Sequence, residues 1–134
     1  MPKLIKNLLE HKKLALLVSI FYTILLSFVC LINLEGLPEE AVQKGDQFFH
    51  FLAYIVLTLL WYNVVSKYFN WNFFKIIFVV TVLSILFGII VEYLQGVMTS
   101  FRTADVKDVL ANSLGVLTAS LLVKLIGKTE VKKM

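Results

Sequence analysis

Four long apolar segments restrict the fold of this chain more than any other feature. They comprise residues 14–34, 47–65, 73–95 and 106–126, and each is about as long as a helix that crosses a bilayer's hydrocarbon core. A membrane offers no water to backbone N–H and C=O groups, and no alternation typical of strands is visible, so we expect helices. The sequence predicts an all-α integral membrane bundle of four transmembrane helices.

The composition agrees with this class and indicates a single domain over residues 1–134. Hydrophobic residues make up 59% of the chain and charged residues only 16%, whereas soluble domains carry about a quarter charged residues. The net charge of +4 comes from residues between and beyond the apolar segments and forms no basic face. Nucleic acid is therefore not an expected partner.

Signals at the ends of these segments refine their limits. The first segment is longer than the apolar core of a signal peptide, and Val29 before Cys30 does not suit a lipoprotein cleavage site, so we expect it to be retained. Asn72 is a candidate N-cap of the third helix. Gly127 is expected to end the fourth helix.

The basic residues predict the orientation of the chain. Ten of the 13 lysines and arginines flank the N-terminal tail, the connection between the second and third segments, and the C-terminal end. Only Lys44, Arg102 and Lys107 lie on the other side. Because cytoplasmic loops carry the excess of positive charge, both termini are expected in the cytoplasm.

Polar residues form stripes on three of the four segments. Ionisable groups inside apolar helices are costly and usually mark a functional site with partners, so we expect the stripes to converge near the external surface. The first segment has only scattered polar residues, and we expect it to pack at the periphery or to close one side of the site. The stripes comprise Asp46, His50 and Tyr54 on the second segment, Gly88, Glu92 and Gln95 on the third, and Asp105, Asp108, Asn112, Gly115 and Ala119 on the fourth.

These stripes resemble the motifs of the VanZ-like family, which is named for a teicoplanin-resistance protein. One departure is Gln47, at a position where a basic residue often follows the aspartate. The resemblance implies a small bacterial membrane protein of the cell envelope, linked in the founding case to glycopeptide tolerance, and it implies no agreed reaction. Its motifs here are Asp46-x-x-x-His50, Gly88-x-x-x-Glu92-x-x-Gln95 and Arg102-x-x-Asp105-x-x-Asp108-x-x-x-Asn112-x-x-Gly115.

The residue types suggest roles in one external site. Imidazole titrates near neutral pH and can transfer protons when a carboxylate orients it, while a guanidinium suits a phosphate or carboxylate. The candidate catalytic residues are His50, Asp46, Glu92 and Asp108. The candidate substrate-binding residues are Arg102, Gln95, Asp105, Asn112 and Tyr54.

Structural roles compete with these chemical ones. Gln95 and Asn112 also suit interhelical hydrogen bonds, and an ion-pair network centred on Arg102 would lock the external hairpins. We expect no cofactor; the alternative is a divalent metal held by His50 and the neighbouring carboxylates.

Two functions remain open after this reasoning. The first is an enzyme acting at the outer leaflet on a lipid-linked or cell-wall component. The second is a non-catalytic accessory or scaffold that binds an envelope lipid, a glycopeptide or a partner protein. The bilayer is an expected partner in both, and the oligomeric state is not predicted.

Overall fold

The computed structural model describes the backbone of residues 11–31, 39–98 and 106–133, and the side chains of residues 11–31, 47–97 and 106–126. Within these ranges the chain forms helices and no strands. The helices are α1 (Lys12–Leu31), α2 (Glu39–Tyr68), α3 (Phe73–Met98) and α4 (Val106–Lys133).

Each of the four helices contains a stretch long and apolar enough to span a membrane. The spans are Lys12–Leu31, Gln47–Tyr68, Phe73–Val97 and Val106–Ile126. Large apolar side chains such as Phe21, Phe78 and Leu114 point outwards, which suits a lipid surround and would be costly in water. The predicted all-helical fold with four spans is confirmed.

The helices extend beyond the apolar segments that predicted them. Helix α2 begins at Glu39, eight residues before residue 47, and α4 continues to Lys133. The prediction that Gly127 ends α4 is wrong. A glycine inside a helix costs only about 1 kcal/mol relative to alanine, and the lysine and glutamate that follow it are good helix formers. The polar flanks therefore continue the helices outside the apolar core.

A short turn joins α2 to α3. Asn72 caps α3 as predicted, because its Oδ1 accepts a hydrogen bond from the Lys75 backbone N–H at 2.8 Å. Phe69 stacks on Trp71 with ring centroids 4.4 Å apart, and the Lys75 ammonium lies 4.3 Å from the Trp71 ring. The cap and the aromatic contacts fix this end of the bundle.

The most extensive helix contact joins α2 and α4. Gly115 lies directly against the Phe51 carbonyl oxygen, so any Cβ at this position would collide with the α2 backbone. Val116 and Ala119, on the same part of α4, are fully buried. Small residues allow this close approach of membrane helices.

Helix α1 packs on α2 through polar side chains. The Tyr22 hydroxyl donates to the Ala53 carbonyl at 2.6 Å, and the Trp61 indole N–H donates to the Thr23 hydroxyl at 2.9 Å. Ser19 is fully buried. Tyr22 and Thr23 follow Ser19 by three and four positions and so share one face with it, and the description of the polar residues of this segment as scattered is wrong.

Candidate functional site

Three buried ionisable side chains meet where α2, α3 and α4 face one another. His50, Glu92 and Asp108 each offer a ligand atom, and these atoms all lie within 4.8 Å of one another. The side chains are only 1%, 3% and 5% exposed, respectively. We call this group the triad, and it confirms that the polar stripes of three helices converge.

The triad lies near one end of the membrane spans. His50 follows the first residue of its span by three positions, Glu92 precedes the last of its span by five, and Asp108 follows the first of its span by two. At a rise of 1.5 Å per residue, these offsets correspond to depths of about 3 to 8 Å. The triad is therefore just inside the apolar region, at the end opposite the α2–α3 turn.

A second polar layer lies one helical turn deeper than the triad. Tyr54, Gly88 and Asn112 are each four residues from a triad member, on α2, α3 and α4. A Cβ on Gly88 would lie 3.0 Å from Asn112 Nδ2 and 3.1 Å from Tyr54 Cε2. The absence of a side chain at Gly88 leaves room for Tyr54 and Asn112 beneath the triad, and we call these two residues its floor.

The floor residues are buried without hydrogen bonds to the rest of the described chain. Tyr54 is 0% exposed and Asn112 is 1% exposed. Among the described residues, neither the Tyr54 hydroxyl nor the Asn112 amide has a hydrogen-bond partner. Buried polar groups are usually satisfied, so these two are suited to a ligand or to ordered water.

Gln95 connects the triad end to α1. Its Nε2 donates to the Cys30 carbonyl oxygen at 2.8 Å, and the bond is buried. The side chain is 1% exposed and forms the interhelical hydrogen bond that was its alternative role. A part for Gln95 in substrate binding stays a prediction.

Three predicted site residues fall outside the described side chains. Arg102 and Asp105 lie outside the described residues, and Asp46 lies in α2 with its backbone alone described. Their roles, and the ion-pair network proposed around Arg102, therefore stay predictions.

The electrostatics of the triad limit its chemistry. Two carboxylates and one imidazole share a small buried volume, and a charge away from water is costly unless it is compensated. Protons on the triad or a bound cation reduce the negative charge of the three residues. The arrangement is suited to proton transfer through His50 or to coordination of a cation by all three residues.

A second feature, which the sequence reasoning missed, is an apolar cavity of about 270 Å³. It lies between α1, α2 and α3, from the middle of the spans towards the α2–α3 turn. Its residues are ordinary in a membrane helix, so the sequence gives no signal for it. The lining residues are Thr23, Leu57, Trp61, Val65, Val80, Leu83, Ser84 and Phe87.

Comparisons with known proteins agree with the motifs on which the triad is built. The family model described as VanZ/LLP1 matches residues 4–127, which is nearly the whole chain. Comparisons with curated proteins and with solved structures find no significant match. With a family match that includes all four membrane spans, the chain belongs to the VanZ/LLP1 family.

Proposed function

We propose that this protein works in the bacterial cytoplasmic membrane and acts at its outer face on the polar part of a lipid-linked cell-wall component. The observation that carries the proposal is the buried triad of His50, Glu92 and Asp108. Ionisable groups at membrane depth are expensive and are typical of functional sites. Helix packing alone does not require two carboxylates beside an imidazole.

The orientation rests on the distribution of positive charge. Lys67 and Lys75 flank the α2–α3 turn, at the end opposite the triad, and most remaining lysines lie in the two chain termini. Under the positive-inside rule, that turn and both termini face the cytoplasm. The triad then faces the extracytoplasmic side, where lipid-linked cell-wall components are accessible.

The proposed chemistry assigns proton transfer to His50. Glu92 and Asp108 orient the imidazole and stabilise its charged form, and Asn112 and Tyr54 hold polar groups of the substrate. Arg102 binds its anionic part, since a guanidinium suits phosphate. By resemblance to the founding VanZ-like protein, the expected cellular effect is reduced susceptibility to teicoplanin.

The test expresses the chain in a teicoplanin-susceptible bacterium. We expect the wild type to raise the minimum inhibitory concentration and to change the profile of lipid-linked precursors. Glu92→Gln and Asp108→Asn, at equal amounts of folded protein, should abolish both effects. Tyr93→Phe is the matched control, because Tyr93 adjoins Glu92 but is 66% exposed. Unchanged effects in both triad variants would overturn the proposal.

A second candidate is a non-catalytic module that binds an envelope lipid or a partner protein. The low exposure of the triad, at most 5% for each residue, favours it, because a substrate needs access to the reacting groups. The purified protein in vesicles with lipid-linked precursor separates the two candidates. Product formation that Asp108→Asn abolishes supports the enzyme, whereas stoichiometric binding without product supports the module.

A further inference from the structure

We propose that His50, Glu92 and Asp108 together bind one divalent transition-metal ion, zinc or manganese. The metal site stands on the geometry of the three side chains, and only its part in acting on an envelope component rests on the proposed function. The residue types allow a metal, but no spacing in the sequence matches a recognised metal motif, so the sequence alone predicts the metal only as an alternative. The fold nevertheless brings the three potential ligands together.

The geometry suits a single ion. One donor atom comes from each of three helices, and all three lie within 4.8 Å of one another. Imidazole nitrogen and carboxylate oxygen bind zinc at about 2.0–2.2 Å, so modest side-chain rotations bring the three donors to that distance from one centre. Since α2, α3 and α4 hold the donors, the ion would also tie the three helices together.

Charge compensation favours a divalent ion. A neutral imidazole and two carboxylates carry a charge of −2, which a divalent cation balances. A proton on the imidazole would still leave the three residues at −1 in a site that excludes most water. Charge is costly in the membrane, and one divalent cation held by all three side chains would balance both carboxylates at once.

The floor beneath the triad independently points to a ligand. The Asn112 amide and the Tyr54 hydroxyl are buried and have no hydrogen-bond partner among the described residues. Tyr54 lies beside His50, with the two ring centroids 6.0 Å apart. Polar groups in this position suit the outer shell of a metal site, where they bind ligating side chains or water.

The donor set selects the kind of metal. Magnesium and calcium prefer oxygen ligands alone, whereas the imidazole of His50 suits zinc and other transition metals, and carboxylates also suit manganese. Three protein ligands leave at least one coordination position open, as in catalytic zinc sites. That position would accept an oxygen atom of the polar group proposed as substrate.

The experiment measures metal content directly. The full chain is purified in detergent through a tag without histidines, incubated with zinc or manganese chloride, desalted and analysed by inductively coupled plasma mass spectrometry. We expect about one ion per wild-type chain. His50→Gln and Asp108→Asn should reduce the affinity by more than the roughly 10- to 100-fold loss typical of an outer-shell change. Tyr93→Phe should retain the ion.

A second measurement uses only the wild type, so its result does not depend on whether the variants fold. Chelation with EDTA should lower its Tm, and zinc or manganese should restore it. A wild type that retains neither metal, with a Tm unaffected by EDTA, would overturn the metal site. The proposed function would survive that failure of the metal site if Asp108→Asn still abolished the effect on teicoplanin susceptibility. If the wild type binds one ion per chain but does not change teicoplanin susceptibility, the metal site stands and the proposed function is rejected.

Discussion

The two ends of this bundle differ in what lies between the helices. At one end, His50, Glu92 and Asp108 place ionisable groups where only apolar side chains are inexpensive. At the other, α1, α2 and α3 leave an apolar cavity of about 270 Å³. Burying the triad costs free energy and requires specific residue types, whereas the cavity is a gap in ordinary apolar packing. The contrast supports the proposal that the functional site is at the triad rather than at the opposite end.

A pair of aromatic rings separates the two regions. Tyr54 belongs to the floor of the triad, Phe87 lines the cavity, and their ring centroids are 6.1 Å apart. The Tyr54 hydroxyl has no hydrogen-bond partner among the described residues, so on this side of the site only packing contacts join it to the cavity, and we expect changes at the cavity to reach the triad weakly. Substitutions on each side test this separation.

The largest expected effect comes from removing the imidazole. His50→Leu leaves two buried carboxylates without the imidazole, and the removal of one partner from a buried network of this kind costs about 3–5 kcal/mol. The free energy of unfolding of the purified protein in mixed micelles measures the loss. Leu52→Ala is the control, because Leu52 is 45% exposed and should change stability by less than about 0.5 kcal/mol.

Replacing the whole triad by leucine should have the opposite effect on stability. Buried charged networks replaced by apolar residues are often neutral or more stable by about 1–4 kcal/mol. The variant with His50→Leu, Glu92→Leu and Asp108→Leu should therefore fold and should lack the proposed effect on teicoplanin susceptibility. A triple variant that is less stable than His50→Leu alone would show that the triad holds the fold together.

On the cavity side, Leu57→Ala should weaken packing without affecting the site. Leu57 is 2% exposed and lines the cavity. We expect a loss of about 2 kcal/mol, the low end for such truncations, because membrane helices lose packing rather than hydrophobic transfer. Metal content and teicoplanin tolerance per folded molecule should be unchanged. A loss of either would contradict the expectation that changes at the cavity do not affect the triad.

Gln95→Leu tests the link between α1 and the triad end. It removes the hydrogen bond to the Cys30 carbonyl, and interhelical hydrogen bonds in membranes contribute about 0.6 kcal/mol on average and at most about 1.7. Unfolding in micelles should show a loss of about 1 kcal/mol with tolerance retained. Loss of tolerance at unchanged stability would instead assign Gln95 to substrate binding.

The smallest expected effect is a gain in stability from filling the cavity. Val80 is 3% exposed and lines it, so Val80→Ile should stabilise the protein by about 0.5 kcal/mol, the low end for cavity filling. Val82→Ile is the control, because Val82 is 38% exposed and contributes no lining atoms. Equal changes in both variants would show that the cavity is not the cause.

The sequence predicted the helices and the convergence of polar stripes because both follow from local patterns. Apolar length alone identifies a membrane span, and a spacing of three or four residues places His50 and Tyr54 on one face. The cost of a carboxylate in lipid then requires Glu92 and Asp108 to face protein. The convergence of the stripes follows from these steps, whereas the choice of His50, Glu92 and Asp108 as the residues that meet depends on the helix packing.

Other features depend on packing that no local pattern encodes. The partner of Gln95 is a backbone carbonyl of Cys30, and a carbonyl carries no sequence signal. The cavity arises from how residues such as Leu83 and Phe87 fit together. The extension of α4 past Gly127 shows that one residue of low helix propensity does not end a helix when the residues on both sides of it favour helix.

A double-mutant cycle between His50→Leu and Asp108→Leu tests the central claim, that side chains from separate helices meet in one buried site. Residues in contact show coupling of about 0.5–3 kcal/mol in the free energy of unfolding, whereas distant pairs add to within about 0.3–0.5. We predict coupling above 1 kcal/mol for this pair and additivity when His50→Leu is combined with Val80→Ile. Additive effects of His50→Leu and Asp108→Leu would contradict the account.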